Sequence, residues 1–213
     1  MSDRHETLGV LELDALREAT NIGSGHAASA LSQLTNQHVR VSVARVTPLG
    51  GEGFDESFDL GREEIAGASM QIFGSVTGKI WFVQPESHAR MLGDFLLGLD
   101  VGTTTEFDEM VESCFKEVAN ILGGAYLNAL SRFLKLTLMP SVPSFSSGDP
   151  DAVLAGDDHG GRAGAKREMI LCTEATLRFG STPNPILGFM VLFPDRQAVD
   201  AILDALHEHI RPL

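Results

Sequence analysis

Cysteine, tryptophan and tyrosine are scarce in this sequence, with 2, 1 and 1 copies among 213 residues. Cys114 and Cys172 do not form a C-x-x-C spacing, so zinc-binding and thioredoxin-like motifs are absent. Two isolated cysteines in a chain of this size are typical of buried, reduced thiols. We therefore expect an apolar core to stabilise the fold without disulfides or a structural metal.

Long apolar runs are also missing. The longest, such as residues 189–193, are far shorter than the roughly 20 residues that span a bilayer. The first six residues are polar and no apolar segment follows them, so we expect no secretory signal. These features predict a cytoplasmic protein without membrane insertion.

Basic residues are outnumbered by acidic ones, 16 to 29, which gives a net charge of −13. This balance argues against a nucleic-acid backbone or an anionic membrane as the main partner. The remaining composition, 43% apolar and 21% charged, is ordinary for a globular protein. The length favours a single domain over residues 1–213.

The sequence does contain an internal repeat, a feature that constrains the fold strongly. Glu-Ala-Thr-Asn-Ile at residues 18–22 recurs as Glu-Val-Ala-Asn-Ile at 117–121, a shift of 99 residues. Strand-like segments ending at Pro85 and Pro194 also resemble each other, and an amphipathic run follows each proline. The chain therefore consists of two half-repeats, about 8–100 and 101–213, which we expect to close around a pseudo-two-fold axis.

Hydrophobic periodicity predicts an α+β fold. We expect a mostly antiparallel sheet of about six strands, two long motif-bearing helices and two further helices. The long helices are predicted over 12–36 and 106–135, and the further helices over 85–97 and 195–209. Strands are predicted over 39–47, 68–73, 75–83, 136–143, 168–179 and 186–193, and Gly-rich loops over about 50–64 and 146–166.

Each long helix carries a polar face. At 100° per residue, the apolar positions of the first helix cluster within about 60°, and the polar face lies roughly 140° away. The second helix repeats the arrangement. The polar face of the first helix consists of Asp14, Glu18, Asn21 and Gly25. The polar face of the second helix consists of Ser113, Glu117, Asn120 and Gly124.

An isolated Glu and Asn on an exposed helix face are usually only solvated. Common descent explains why both halves carry the pair, but not why the part least needed for folding stayed alike. Asn is a mediocre helix former and Gly costs about 1 kcal/mol relative to Ala. We interpret the faces as surfaces that another protein approaches closely, and Glu18, Asn21, Glu117 and Asn120 are the paired polar residues on them.

A Glu–Asn pair provides an anionic acceptor and an amide that both donates and accepts. No Ser–His or Cys–His pattern lies beside it. An amide can orient a water molecule, as a glutamine does in GTPases, where positioning and electrostatics supply most of the catalysis. The Glu can bind a cation on a partner.

At these residues the sequence resembles the CheC/CheX/FliY family of chemotaxis phosphatases. That family carries [D/S]-x3-E-x2-N followed by about 22 residues and a Pro. The second copy, which begins at Ser113 and ends at Pro143, matches fully. The first begins at Asp14, but its next proline is Pro48, so it departs in the proline spacing.

The resemblance implies hydrolysis of the aspartyl-phosphate on a response-regulator receiver domain, chiefly phosphorylated CheY. Asn21 or Asn120 would align the attacking water, and Glu18 or Glu117 would pair with the receiver's active-site lysine. The chain would need no cofactor of its own, because the Mg²⁺ would belong to the receiver. The receptor deamidase CheD is implied as a second partner.

A non-catalytic adaptor remains the alternative. Such a module would dock a receiver or CheD and regulate by sequestration. The intact Asn in both motifs favours the enzyme, because an adaptor has no chemical need for it.

Overall fold

The computed structural model describes residues 9–49, 63–155, 170–179 and 185–210. These residues form five helices and seven strands. The helices are α1 (Val10–Thr35), α2 (Glu86–Leu97), α3 (Glu109–Leu134), α4 (Pro150–Ala155) and α5 (Arg196–Ile210). The strands are β1 (Val39–Leu49), β2 (Ile65–Gly74), β3 (Gly78–Pro85), β4 (Leu138–Pro140), β5 (Ser144–Gly148), β6 (Ile170–Phe179) and β7 (Ile186–Pro194).

All strand pairs in the sheet are antiparallel, which confirms the predicted α+β class. The strand order is β1-β6-β7-β3-β2-β4, and β5 pairs with β2 beside β4. The strand order is symmetric about its centre, where hairpin β2–β3 pairs with hairpin β6–β7 through β3 and β7. The outer strands of each half pair with the hairpin of the other half: β1 pairs with β6, and β4 and β5 pair with β2.

The central β3–β7 register follows the same symmetry. Trp81 lies opposite Val191, and Phe82 lies opposite Met190. Counting back from the last residue of each strand makes Trp81 equivalent to Met190, and Phe82 equivalent to Val191. Exchanging the halves therefore maps one pair onto the other, and the pseudo-two-fold axis passes between them.

The long helices α1 and α3 are equal in length and cover the same face of the sheet. Each has 26 residues, and each ends at a left-handed residue, Asn36 with φ 50° and Lys135 with φ 54°. These end positions are related by the shift of the sequence repeat. The main apolar core lies between these two helices and the sheet. Buried residues of α1 and α3 pack there against every second residue of β2 and β3, including Met70 and Phe82.

The opposite face of the sheet has a smaller apolar cluster. Val153 of α4 packs against strand residues there, and Leu154 lies partly buried beside it. The buried members of this cluster are Ile65, Trp81, Val83, Val153, Phe189, Val191 and Phe193.

The predicted loop over 146–166 is wrong for its first ten residues. Residues 146–148 belong to β5, whose backbone pairs with β2, and α4 follows, with the Asp149 carboxylate accepting hydrogen bonds from the Asp151 and Ala152 amides. Ser146 and Ser147 pair with β2 through their backbone groups, so this part of the strand forms without an apolar periodicity in the sequence. Residues 156–166 and most of the predicted 50–64 loop lie outside the described residues.

The connection from α2 to α3 is held by one buried carboxylate. Asp94 accepts hydrogen bonds from the Gly102 amide at 2.7 Å and the Thr104 amide at 2.8 Å. Burial acts to raise the pKa of this carboxyl, but hydrogen bonds from the Thr104 hydroxyl and the amides of 102–104 outweigh burial and hold its pKa below the usual value. The ionised form therefore stabilises the connection.

We predict that Asp94→Asn lowers the free energy of unfolding by about 1–3 kcal/mol at pH 7, because a charged acceptor is lost. The lowered pKa means that this contribution is complete above the unfolded-state pKa, about 3.9, and is lost as pH falls through the lower folded-state pKa. Urea denaturation from pH 7 to pH 2 measures it. The exposed Asp100→Asn variant in the same connection is the control, and equal stability of wild type and Asp94→Asn at pH 7 would contradict the assignment.

Candidate active site

The first motif lies near the middle of α1. Glu18 and Asn21 are both exposed, one turn apart on the face that points away from the sheet. Asp14, one turn before Glu18, pairs with Arg17 at 3.3 Å, and the Asn21 carbonyl accepts a hydrogen bond from the Ser24 hydroxyl at 2.8 Å. The helix backbone therefore presents the two side chains to solvent together.

The second motif occupies the equivalent part of α3. Ser113, Glu117 and Asn120 are exposed along one face. The Asp108 carboxylate caps this helix by accepting hydrogen bonds from the Met110 and Val111 amides. The cap fixes where the helix begins, and with it the direction of the motif face.

The four candidate catalytic side chains form no structural network within the described part of the chain. There, the side chains of Glu18, Asn21, Glu117 and Asn120 make no hydrogen bond or ion pair. A carboxylate and an amide held side by side without internal partners are free to bind groups on another molecule.

The two motifs form separate sites. Leu16 lines a small apolar cavity with Leu134, whereas Ala27 lines another cavity with Leu122, so α1 and α3 run antiparallel. In this arrangement Asn21 and Asn120 are offset by about eight residues, or about 12 Å at 1.5 Å per residue. The structure brings each Glu together with its own Asn, but it does not bring the two pairs into one site.

Among the described residues, the groups beside the two motifs do not form an activated nucleophile. Partial burial, and secondarily the charge of Asp108, raise the pKa of the Cys114 thiol, which favours the neutral form. The Ser113 hydroxyl has no histidine partner among the described residues. No three His, Cys, Asp or Glu side chains in the described ranges are grouped so that they could hold a metal ion.

The glycines near the motifs divide into two kinds. A Cβ on Gly23 would lie 3.1 Å from the Ala125 carbonyl oxygen and 3.1 Å from the Ala129 Cβ, so glycine there allows α1 to pack closely on α3 without displacing either helix. A Cβ on Gly25 or Gly124 would meet nothing within 4 Å. Packing therefore explains Gly23 but leaves the two motif-face glycines unexplained.

The proline that ends the motif lies at a β-bulge. Pro143 follows β4, and the register of β2 shifts by one residue between its pairings with β4 and β5. In the first half, β1 has a register shift between Val43 and Arg45, and Ala44 is the counterpart of Pro143 by the repeat. The bulge is thus present in both halves without a proline in the first, because an unpaired bulge residue needs no amide hydrogen bond.

Sequence reasoning missed two exposed apolar residues on the motif helices. Leu11 is 65% exposed and Met110 is 60% exposed, and each lies seven residues before its motif Glu. They are related by the same shift of 99 residues, so extending the repeat toward the start of each helix would have found them.

Comparisons with known proteins match both motif regions. A family model described as the CheC-like family matches residues 11–43 and 110–147, which hold the long helices and the strand segments after them. The chain is 36% identical over 138 residues to the CheY-P phosphatase CheC of Bacillus subtilis (strain 168), covering 63% of this chain and 66% of that relative. The chain belongs to the CheC/CheX/FliY family.

Two FliY proteins of this family are also similar. The flagellar motor switch phosphatase FliY of Bacillus subtilis (strain 168) is 27% identical over 139 residues, covering 65% of this chain and 36% of the relative. The chain thus spans about two thirds of one curated relative and about a third of the other. The X-ray structure of Thermotoga maritima FliY has a TM-score of 0.74 at 18% identity, covering 96% of this chain and 100% of that chain, which shows the shared fold.

None of the described helices in this family member combines the length and the apolar character needed to cross a membrane.

We predict opposite stability effects for two neighbouring glycines. Gly25→Ala should raise the free energy of unfolding by about 0.5–1 kcal/mol, because Ala has a higher helix propensity than Gly and its methyl group would meet no neighbouring atom. Gly23→Ala should lower it by about 1–3 kcal/mol, because the methyl group crowds α3. Urea denaturation of both variants measures the difference, and a loss of stability in Gly25→Ala would show that packing does require glycine there.

Proposed function

We propose that this chain is a phosphatase that hydrolyses the aspartyl-phosphate of a CheY-type receiver domain in chemotaxis signalling. The observation that carries the proposal is the pair of exposed Glu–Asn faces at equivalent places on α1 and α3, free of internal partners among the described residues. The similarity to a relative named CheY-P phosphatase CheC supports this reaction class.

Asn21 and Asn120 are proposed to position the attacking water. Each amide would hydrogen-bond a water molecule in line with the phosphorus and opposite the acyl oxygen. Attack forms a P–O bond to water and breaks the P–O bond to the aspartate. The aspartate leaves as a carboxylate, the attacking water's proton passes to the phosphoryl oxygens or to solvent, and inorganic phosphate is released.

Glu18 and Glu117 are proposed to bind the active-site lysine of the receiver. A carboxylate one turn from the Asn can reach a cation beside the phosphoryl group and so orient the receiver on the helix. An exposed ion pair contributes little affinity by itself, about 0–1 kcal/mol. We therefore assign these residues to positioning as much as to binding.

The chain needs to contribute only one positioning group to each reaction. The Mg²⁺ of the reaction is expected on the receiver, and it would neutralise charge on the phosphoryl oxygens there. The role of this chain's residues is to place a water and to orient the partner.

The receptor deamidase CheD remains a second proposed partner, supported by the family resemblance. The non-catalytic adaptor remains the competing function, in which the same faces bind a receiver without hydrolysis. The Asn side chains distinguish the two functions, because only catalysis needs an amide at that point.

We predict that the double variant Asn21→Ala/Asn120→Ala loses phosphatase activity but still binds the receiver. The measurement is phosphate release from a magnesium-bound, phosphorylated CheY-type receiver, with binding measured in parallel by calorimetry. Gln197→Ala, which removes an exposed helical amide from α5, is the matched control and should keep wild-type activity. Wild-type phosphate release in the double variant would refute the catalytic assignment and favour the adaptor.

We also predict that Asn21→Ala and Asn120→Ala alone each retain measurable activity, because about 12 Å of helix separates the two sites. The same phosphate-release assay gives the two rates. A single variant that is as inactive as the double variant would show that one site is silent or that the two sites act together.

A further inference from the structure

An exposed apolar side chain lies near the start of each motif helix. Leu11 of α1 is 65% exposed, and Met110 of α3 is 60% exposed. Among the exposed large apolar residues that the structure describes, these two are the one pair related by the repeat of the long helices. Neither side chain serves the core, so folding does not explain why both halves carry one there.

These residues share the motif face. In α1 the positions 11, 14, 18, 21 and 25 follow the alternating three- and four-residue spacing of a helix-packing stripe, and at 100° per residue they fall within about 80°. In α3 the positions 110, 113, 117, 120 and 124 repeat the spacing. Each stripe is about 21 Å long at 1.5 Å per residue.

Each stripe has the same three parts in the same order. An apolar side chain lies at one end, the acid and amide lie in the middle, and a glycine with open space above it lies at the other end. The glycine is an independent observation, because a Cβ on Gly25 or Gly124 would contact nothing within 4 Å. A face that offers an apolar contact at one end and bare backbone at the other fits a partner lying along the helix.

The charge of the chain favours such an apolar contact. The chain carries −13, and an acyl phosphate is an anion, so long-range electrostatics do not attract the proposed substrate. In the first site, Arg17 is already paired with Asp14. Short-range burial of apolar surface can supply the missing affinity without regard to charge.

We propose that Leu11 and Met110 are docking residues for the phosphorylated receiver domain, each burying its side chain against an apolar patch beside the receiver's active site. This assignment rests on the proposed phosphatase function. Leu11 serves the Glu18–Asn21 site, and Met110 serves the Glu117–Asn120 site. The docking residues set KM, whereas the Asn residues set kcat.

The test isolates one site at a time. In the Asn120→Ala background, where the first site carries the reaction, Leu11→Ser should raise KM for the phosphorylated receiver about tenfold with little change in kcat. In the same background, the effect of Met110→Ser should be much smaller. In the Asn21→Ala background the order of the two effects should reverse.

Val142→Ser is the matched control, because Val142 is an exposed apolar residue, 86% exposed, that follows β4 on the sheet edge. It should leave KM unchanged in both backgrounds. Thermal unfolding of each variant should match its parent, since neither docking residue is buried.

An unchanged KM in both serine variants overturns the docking assignment, and so does a fall in kcat without a rise in KM. If the serine variants instead abolish self-association and leave KM unchanged, as sedimentation analysis would show, the stripe binds a second copy and the assignment is wrong. Failure of the proposed function is distinguishable, because the Asn21→Ala/Asn120→Ala variant would then release phosphate at the wild-type rate.

Discussion

The antiparallel pairing of β3 with β7 is the interaction on which the rest of the fold depends. It joins the two halves at the centre of the sheet, with Trp81 opposite Val191 and Phe82 opposite Met190. Because this register obeys a two-fold exchange, it places α1 and α3 antiparallel on one face of the sheet. In the same sheet, β1 of the first half pairs with β6 of the second half, and β4 and β5 of the second half pair with β2 of the first.

The two sides of each long helix differ in packing. The buried side of α1 packs so closely on α3 that a Cβ on Gly23 would lie 3.1 Å from the Ala125 carbonyl oxygen, whereas a Cβ on Gly25, two residues on, would meet nothing within 4 Å. The core uses one side of each helix and leaves the opposite side to Glu18–Asn21 and Glu117–Asn120. A helix is well suited to this division, because residues three and four apart share a face over its whole length.

Much of this arrangement could be predicted from the sequence, because it depends on spacing. Helical periodicity and the shift of 99 residues located α1, α3 and both motif faces, and the structure agrees within a few residues. Strand β5 and helix α4 could not be predicted from periodicity, because each contributes few apolar side chains. β5 pairs with β2 through its backbone and adds only Phe145 to the main core, and α4 adds Val153 and Leu154 to the smaller cluster. The bulge at Ala44 could not be predicted from the sequence either, because a bulge depends on how two strands pair.

The central claim is that this chain supplies a water-positioning amide to a phosphorylated receiver. The most direct measurement is the first-order loss of phosphate from a magnesium-bound, phosphorylated CheY-type receiver, with and without the chain, and then with the deamidase CheD added. The account predicts that the chain accelerates phosphate loss in proportion to its concentration at low occupancy. Loss at the receiver's intrinsic rate in every mixture, despite measurable binding, would contradict it.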